Sequence, residues 1–215
     1  MRSVYKYFLI TLLIIIIDQA IKLAVHTYMA PGFIGQINVI GDFFKLHYVT
    51  NPGMAFGITL EFANGKLLLT LFRLIAMFGI GYYLIKMAKN GSHTGLLWCI
   101  ALILGGAIGN LVDSIFYGKF LGNAPIGSES PWFHGQVIDM FFFDFWEGEI
   151  PKWIPFFGGD YYSTPIFNFA DASIFVGVVT ILIFQKTFFV EKEIETKQEN
   201  SIDSYLNNSE SDNVS

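Results

Sequence analysis

A chain of 215 residues that is 53% hydrophobic and only 14% charged, with a mean hydropathy of +0.50, is too apolar for an ordinary soluble domain and fits one small membrane domain. Its formal net charge of −5 and its lack of any Lys/Arg cluster exclude nucleic acid as a partner, because nothing would release counterions from a phosphate backbone. The single cysteine, Cys99, lies in an apolar run, so there is neither an intrachain disulfide nor a cysteine metal site.

Crossing a hydrocarbon core about 30 Å thick takes roughly 17 to 25 mostly apolar helical residues. The first such segment runs from Val4 to Val25. Arg2 and Lys6 give it the look of a signal peptide, but no small-x-small site follows promptly; Asp18, Gln19 and Lys22 come instead, so the segment is read as a retained helix. Next, Gly35 to Leu60 is rich in β-branched and aromatic residues with partial alternation, bounded by Gly and Asn-Pro-Gly, and predicts a small sheet outside the membrane. Leu67 to Ile85 and Leu96 to Phe116 are the second and third apolar segments. The connection from Tyr117 to Pro165 is crowded with Trp, Phe, Tyr, Gly and Pro, a composition suited to the headgroup region. Ile166 to Phe184 is the fourth segment, and from Glu191 onward the chain is polar and reads as disordered.

The expected architecture is a mainly α membrane protein. It has four transmembrane helices, a small extracytoplasmic β-sheet at about 33–62 and an aromatic-rich interfacial loop at about 117–165. Residues 1–190 form one domain and 191–215 a cytoplasmic tail. Lys and Arg are retained on the cytoplasmic side. Arg2 and Lys6 precede the first helix, Lys86 and Lys89 follow the second, and Lys186 and Lys192 follow the fourth, which places both termini in the cytoplasm.

That orientation gathers the polar residues at one face. The first helix carries Asp18, Gln19 and Lys22 in its last third, the third carries Asn110 and Asp113 near its end, and the fourth carries Asn168 and Asp171 near its beginning. Asp18 and Lys22 are i,i+4, and the Asn/Asp pairs are i,i+3, so each set projects from one helical face. Gly105, Gly106, Ala107 and Gly109 make a small-residue surface that lets backbones approach, bringing the third and fourth helices together at the level of the two aspartates. Asp18 with Lys22 also reads as a local ion pair, and Asn110 and Asn168 as interhelical hydrogen-bond glue. Asp113 and Asp171 have no Lys or Arg one helical turn away and are the better candidates for chemistry.

Two carboxylates at one site cannot both ionise easily, so one keeps a proton while the other activates water, and neither metal nor cofactor is required. His26, His47, His93 and His134 form no HExxH, and Ser114 and Ser173 lack a Lys or His partner at helical spacing, which argues against zinc and serine hydrolases. Spacing leaves the second acid open among Asp113, Asp139 in the strand-like run QVIDM, and Asp144. A proton-coupled transporter or channel is the rival reading, since intramembrane carboxylates also mark ion pathways; against it, there is no internal repeat or broken midplane helix, and the acids gather at one depth.

DQAIK at Asp18–Lys22, NPGMAF at Asn51–Phe56, GGAIGNLVD at Gly105–Asp113, VIDM at Val137–Met140 and FNFADASI at Phe167–Ile174 together resemble lipoprotein signal peptidase, signal peptidase II, over about Val4 to Phe184. The resemblance implies an aspartic endopeptidase of the bacterial inner membrane. Its substrates would be prolipoproteins, cut just before a diacylglyceryl-modified cysteine near the periplasmic face. Carried over by motif, the catalytic acids are Asp139 and Asp171. Asp18, Lys22, Asn51, Asn110, Asp113 and Asn168 line or support the pocket, and Asn51 and Gly53 belong to a sheet that cradles substrate. Two departures stand out: Ser114 replaces the family's usual Arg, so that charge must be absent or supplied elsewhere, and the stretch Asp144 to Tyr162 is a long aromatic insertion, expected as an interfacial lid.

Overall fold

The structure, a computed structural model, describes residues 4–52, 65–145, 147–154, 158–159 and 161–189. Helix α1 spans Tyr5–Tyr28, α2 Gly65–Lys89, and α3 Thr94–Val112, after which the helix passes through a π-helical segment, Asp113–Tyr117, and ends on one α-turn, Gly118–Phe120. These three are long and apolar enough to cross a membrane. Helix α4, Phe169–Ile183, is a shorter apolar helix, with helical residues resuming at 185–189 after a break at Phe184.

Helix α3 is the central element, packing against α1, α2 and α4. Its neighbours touch it in register. Thr11 donates to the Ala101 carbonyl at 3.0 Å, Ile14 faces Gly105, Asp18 faces Gly109 and Lys22 reaches Asp113, so α1 and α3 run parallel. Asn110 meets Asp171 while Gly177 meets the Cys99 carbonyl and Ile103, so α4 runs antiparallel to α3. The small residues permit this approach: a Cβ on Gly106 would collide with the Ala170 carbonyl, and one on Gly109 would lie 2.6 Å from Asp18 Oδ2. α2 is peripheral and leaves Phe72, Ile75, Phe78 and Tyr82 exposed, as a lipid-facing surface requires. One apolar core, including Tyr7, Leu84, Leu97, Ile100, Leu104 and Phe188, fills the end of the bundle where α1 begins and α4 ends. A second, of Val25, Tyr48, Tyr117, Ile138 and Met140, fills the opposite end.

Strands β1 (Gly32–Ile40), β2 (Phe44–Asn51) and β3 (Val137–Phe143) form an antiparallel sheet in the order β1-β2-β3. The expected sheet between the first two helices is therefore present in its first part, and it recruits its third strand from the distant loop. Gly53 and the rest of the expected sheet to residue 62 lie outside the described residues, as does the tail 191–215. Within the aromatic stretch 144–162, β4 (Glu147–Glu149) pairs antiparallel with β5 (Tyr161–Ser163). The aromatic connection begins four residues later than expected, because the third helix continues to Phe120, and the fourth helix begins at Phe169 rather than Ile166, because Asn168 caps it.

Candidate active site

Lys22 is the hub of a buried polar network. Its ammonium, fully shielded from solvent, lies 2.9 Å from Asp18, 2.7 Å from Asp113 and 2.9 Å from Asn110 Oδ1. All three N–H donors of the ammonium are thereby engaged. The i,i+4 pair expected within α1 exists, and tertiary packing extends it: Asp113, which has no cation one turn away on its own helix, obtains one from α1. Gln19 donates to Asp18 at 3.0 Å and to Asp113 at 2.9 Å, and its own oxygen accepts from Tyr117 Oη at 2.9 Å. Asp18 Oδ1 accepts the backbone N–H of Ala170 in the first turn of α4, which ties α1 to α4 through one carboxylate.

The π-helical segment determines how the loop strand reaches this network. A wider turn frees carbonyls from the helical ladder, and such segments recur at functional sites. Here the Ser114 carbonyl accepts from Gly135 N–H at 3.0 Å and the Ile115 carbonyl from Phe133 N–H at 3.1 Å, so the returning loop satisfies both. Asp113 Oδ2 then accepts the N–H of Ile138 at 3.3 Å. Asp113 thus anchors the strand on which the next residue is Asp139.

Asp139 is 2% exposed and faces the bundle from β3. Its Oδ1 accepts from Asn168 Nδ2 at 2.6 Å and its Oδ2 from Asn51 Nδ2 at 3.0 Å, Asn51 being the last residue of the neighbouring strand β2. Asp171 sits in the first turn of α4. Its Oδ1 accepts from Asn110 Nδ2 at 2.8 Å and its Oδ2 from the Asn168 N–H at 3.3 Å. The Asn168 side chain in turn accepts the Asp171 N–H at 2.9 Å, completing a capping box. The i,i+3 spacing of Asn168 and Asp171 is therefore a cap and its third helical residue rather than two positions on one helical face. Asn168 Nδ2 also approaches Asn110 Oδ1 at 3.2 Å, so the two asparagines form one amide layer between the acids. Burial, followed by the neighbouring charge of Asp171, pushes the Asp139 carboxyl up to about 7, against the opposing donors Asn51 and Asn168.

The other candidate acid, Asp144, is partly exposed and lies 2.8 Å from Lys45. Asp113 is committed to Lys22, Gln19 and β3. Of the acids left open by spacing, Asp139 shares its asparagine partner with Asp171.

One half-buried charged group escaped the reading of the sequence. Arg73, inside the apolar run LLLTLFRLIAMF of α2, donates from Nη1 to Ser114 Oγ at 2.9 Å, and Ser114 Oγ donates to the Asn110 carbonyl at 3.0 Å. The signal was present: a lone arginine in a membrane-spanning helix is costly and marks a polar destination.

A polytopic membrane protein with two carboxylates, one buried and one half-buried, linked through Asn168 at one end of its bundle is defined by these features. The sequence profile described as Signal peptidase (SPase) II matches residues 10–188. The lipoprotein signal peptidase of Amoebophilus asiaticus is 50% identical over 185 residues, which is 85% of this chain and 78% of that protein. That of Porphyromonas gingivalis is 42% identical over 183 residues, 80% of this chain and 78% of that protein. Two solved chains, each described as a bacterial membrane enzyme structure obtained by the in meso method, superpose with TM-scores of 0.55 and 0.56 at 28% identity. They cover 85% and 83% of this chain and 89% and 90% of their own. The chain belongs to the signal peptidase II family and is a bacterial membrane protease.

Proposed function

We propose that this chain is a lipoprotein signal peptidase of the aspartic type, which removes the signal peptide of prolipoproteins just before the diacylglyceryl-modified cysteine. The observation that carries it is the linkage of Asp139 and Asp171 through Asn168, which donates a side-chain hydrogen bond to one and a backbone hydrogen bond to the other. The names of the relatives and the family profile support the same activity. They give no support to a transporter.

In the proposed reaction Asp139, held up near 7, brings the proton and Asp171 is the base. A water between them attacks the scissile carbonyl carbon, giving one proton to Asp171 while Asp139 protonates the carbonyl oxygen. The resulting gem-diol collapses: Asp139 takes a hydroxyl proton back, Asp171 protonates the departing nitrogen, and the C–N bond breaks. Asn110 and Asn51 orient the two carboxylates from opposite sides. Asp18, Lys22 and Asp113 hold α1, α3, α4 and β3 in place around them. Asn51, at the end of β2, and Gly53 are assigned to substrate binding. The lipid chains of the substrate would rest on apolar helix surface, each buried methylene contributing about 0.8 kcal/mol.

We further assign four membrane-spanning helices with both termini in the cytoplasm of the bacterial inner membrane and the site near the periplasmic face. Lys86 and Lys89 in the last turn of α2 support this, since they lie at the end remote from the polar network. Incubation of the purified enzyme with a diacylated prolipoprotein is the direct test. Cleavage by the native chain and none by folded Asp139→Asn and Asp171→Asn variants is expected; full turnover by either variant would refute the pair.

A further inference from the structure

We propose that Arg73 is a positioning residue of the hydrolytic pair, a fixed cation on α2 that favours negative charge on the Asp171 side of the pair from across Ser114 and Asn110. The inference rests on the reading of Asp139 and Asp171 as that pair.

The argument begins with the supply of charge. Four carboxylates, Asp18, Asp113, Asp139 and Asp171, belong to the network, and Lys22 spends its three N–H donors on Asp18, Asp113 and Asn110. Nothing remains on Lys22 to donate to Asp139 or Asp171. A second cation enters from α2. Arg73 lies eight residues into α2, about 12 Å along its axis, in a helix that otherwise shows lipid its apolar side chains. A guanidinium at that depth is retained only for a polar partner.

The path from Arg73 to the pair is continuous. Its Nη1 donates to Ser114 Oγ at 2.9 Å, Ser114 Oγ donates to the Asn110 carbonyl at 3.0 Å, and Asn110 Nδ2 donates to Asp171 Oδ1 at 2.8 Å. Ser114 is fully buried and belongs to the π-helical segment that also contains Asp113. Arg73 is thus three hydrogen bonds removed from the Asp171 carboxylate. Because that path ends on Asp171 and not on Asp139, a positive charge at Arg73 favours negative charge on the Asp171 side of the pair. Lys66, at the start of the same helix, donates to the Pro52 carbonyl at 2.7 Å and interacts with Arg73 and Asp113. The charged groups around the pair, among the described residues, are thus Asp18 and Lys22 on α1, Lys66 and Arg73 on α2, and Asp113 on α3.

A substitution series reads this charge directly. Arg73→Gln keeps a donor for Ser114 but removes the charge; it is expected to lower kcat about tenfold or more with KM within about twofold, and to move the acid limb of the kcat pH profile upward by about one unit. Arg73→Lys retains the charge and is expected to keep the limb in place. Adding Ser114→Arg to Arg73→Gln returns a cation to the same locus and restores the limb. Ser114→Ala, which removes the hydroxyl that seats the guanidinium, gives the same shift with smaller amplitude and serves as an independent reading should Arg73→Gln not fold. A native pH profile in folded Arg73→Gln or Ser114→Ala, or an equal loss in Arg73→Lys without a shift, would overturn the assignment. Asp139→Asn and Asp171→Asn are assayed alongside. If they remain active the pair itself is wrong, whereas if they are inactive and Arg73→Gln is native only the role of Arg73 falls.

Discussion

Asn168 donates its side-chain amide to Asp139 at 2.6 Å while its side-chain oxygen caps the helix that carries Asp171. One residue therefore fixes the loop acid and starts the helix of the other. Asn168→Ala removes both functions. It is expected to destabilise the protein by about 1–2 kcal/mol through loss of the cap, and to lower cleavage by about a hundredfold or more. Asn168→Asp restores a capping oxygen but sets a carboxylate against Asp139, so thermal stability should recover in part while activity does not. Parallel unfolding and cleavage assays in detergent compare the two; recovery of both in Asn168→Asp would contradict this account.

The ion cluster of Lys22, Asp18 and Asp113 should be asymmetric to substitution. Lys22→Met leaves two buried carboxylates without their cation and is expected to cost about 3–5 kcal/mol. Asp113→Asn keeps an acceptor for the Ile138 N–H and leaves Lys22 with Asp18, so its cost should be smaller. Denaturation in micelles measures both, and equal losses would show that the ammonium is not the hub.

Protonation of Asp139 couples pH to both stability and rate. Its carboxyl, pushed up to about 7 in the folded chain, has an unfolded value of about 3.9, so the native state binds the proton more tightly. The resulting stabilisation is fully present below the unfolded value and is lost as pH rises through about 7. Asp139→Asn should accordingly raise the unfolding temperature more in alkaline than in acidic buffer. The native enzyme should lose activity over the same alkaline limb, as the pair gives up its shared proton. Because the charge of Asp171 contributes to the upward shift, Asp171→Asn should lower the titration midpoint of Asp139, followed by difference infrared spectroscopy of the carboxyl band. An unmoved midpoint would separate the two acids electrostatically.

Close approach of α3 and α4 depends on Gly106. Gly106→Val places side-chain atoms on the Ala170 carbonyl and should push Asn110 away from Asp171, with a loss of about 1–3 kcal/mol and of most of the cleavage activity. Gly79 of α2 has open space where a Cβ would sit, and Gly79→Ala should stabilise by up to about 1 kcal/mol through helix propensity. Comparable losses at both positions would mean that the small-residue seam is not what sets the helix spacing.

The sequence by itself determined the apolar spans, the end of the bundle at which Asp18, Lys22, Asn110, Asp113, Asn168 and Asp171 collect, and the small-residue seam that joins α3 to α4. These follow from hydropathy and helical period, which are local properties repeated over many residues. The five motifs together added the family resemblance and singled out Asp139. The tertiary structure alone decided that Asp113 takes its cation from α1, that Asn168 is a helix cap, that Asp144 belongs to Lys45, and that Arg73 crosses to Ser114. Each depends on a hydrogen bond or ion pair between residues far apart in the chain, and periodicity carries no information about which distant partner meets a given side chain. The π-helical segment is decided in the same way, since its freed carbonyls are satisfied by Phe133 and Gly135 of the returning loop, and only the packed chain brings those donors to it.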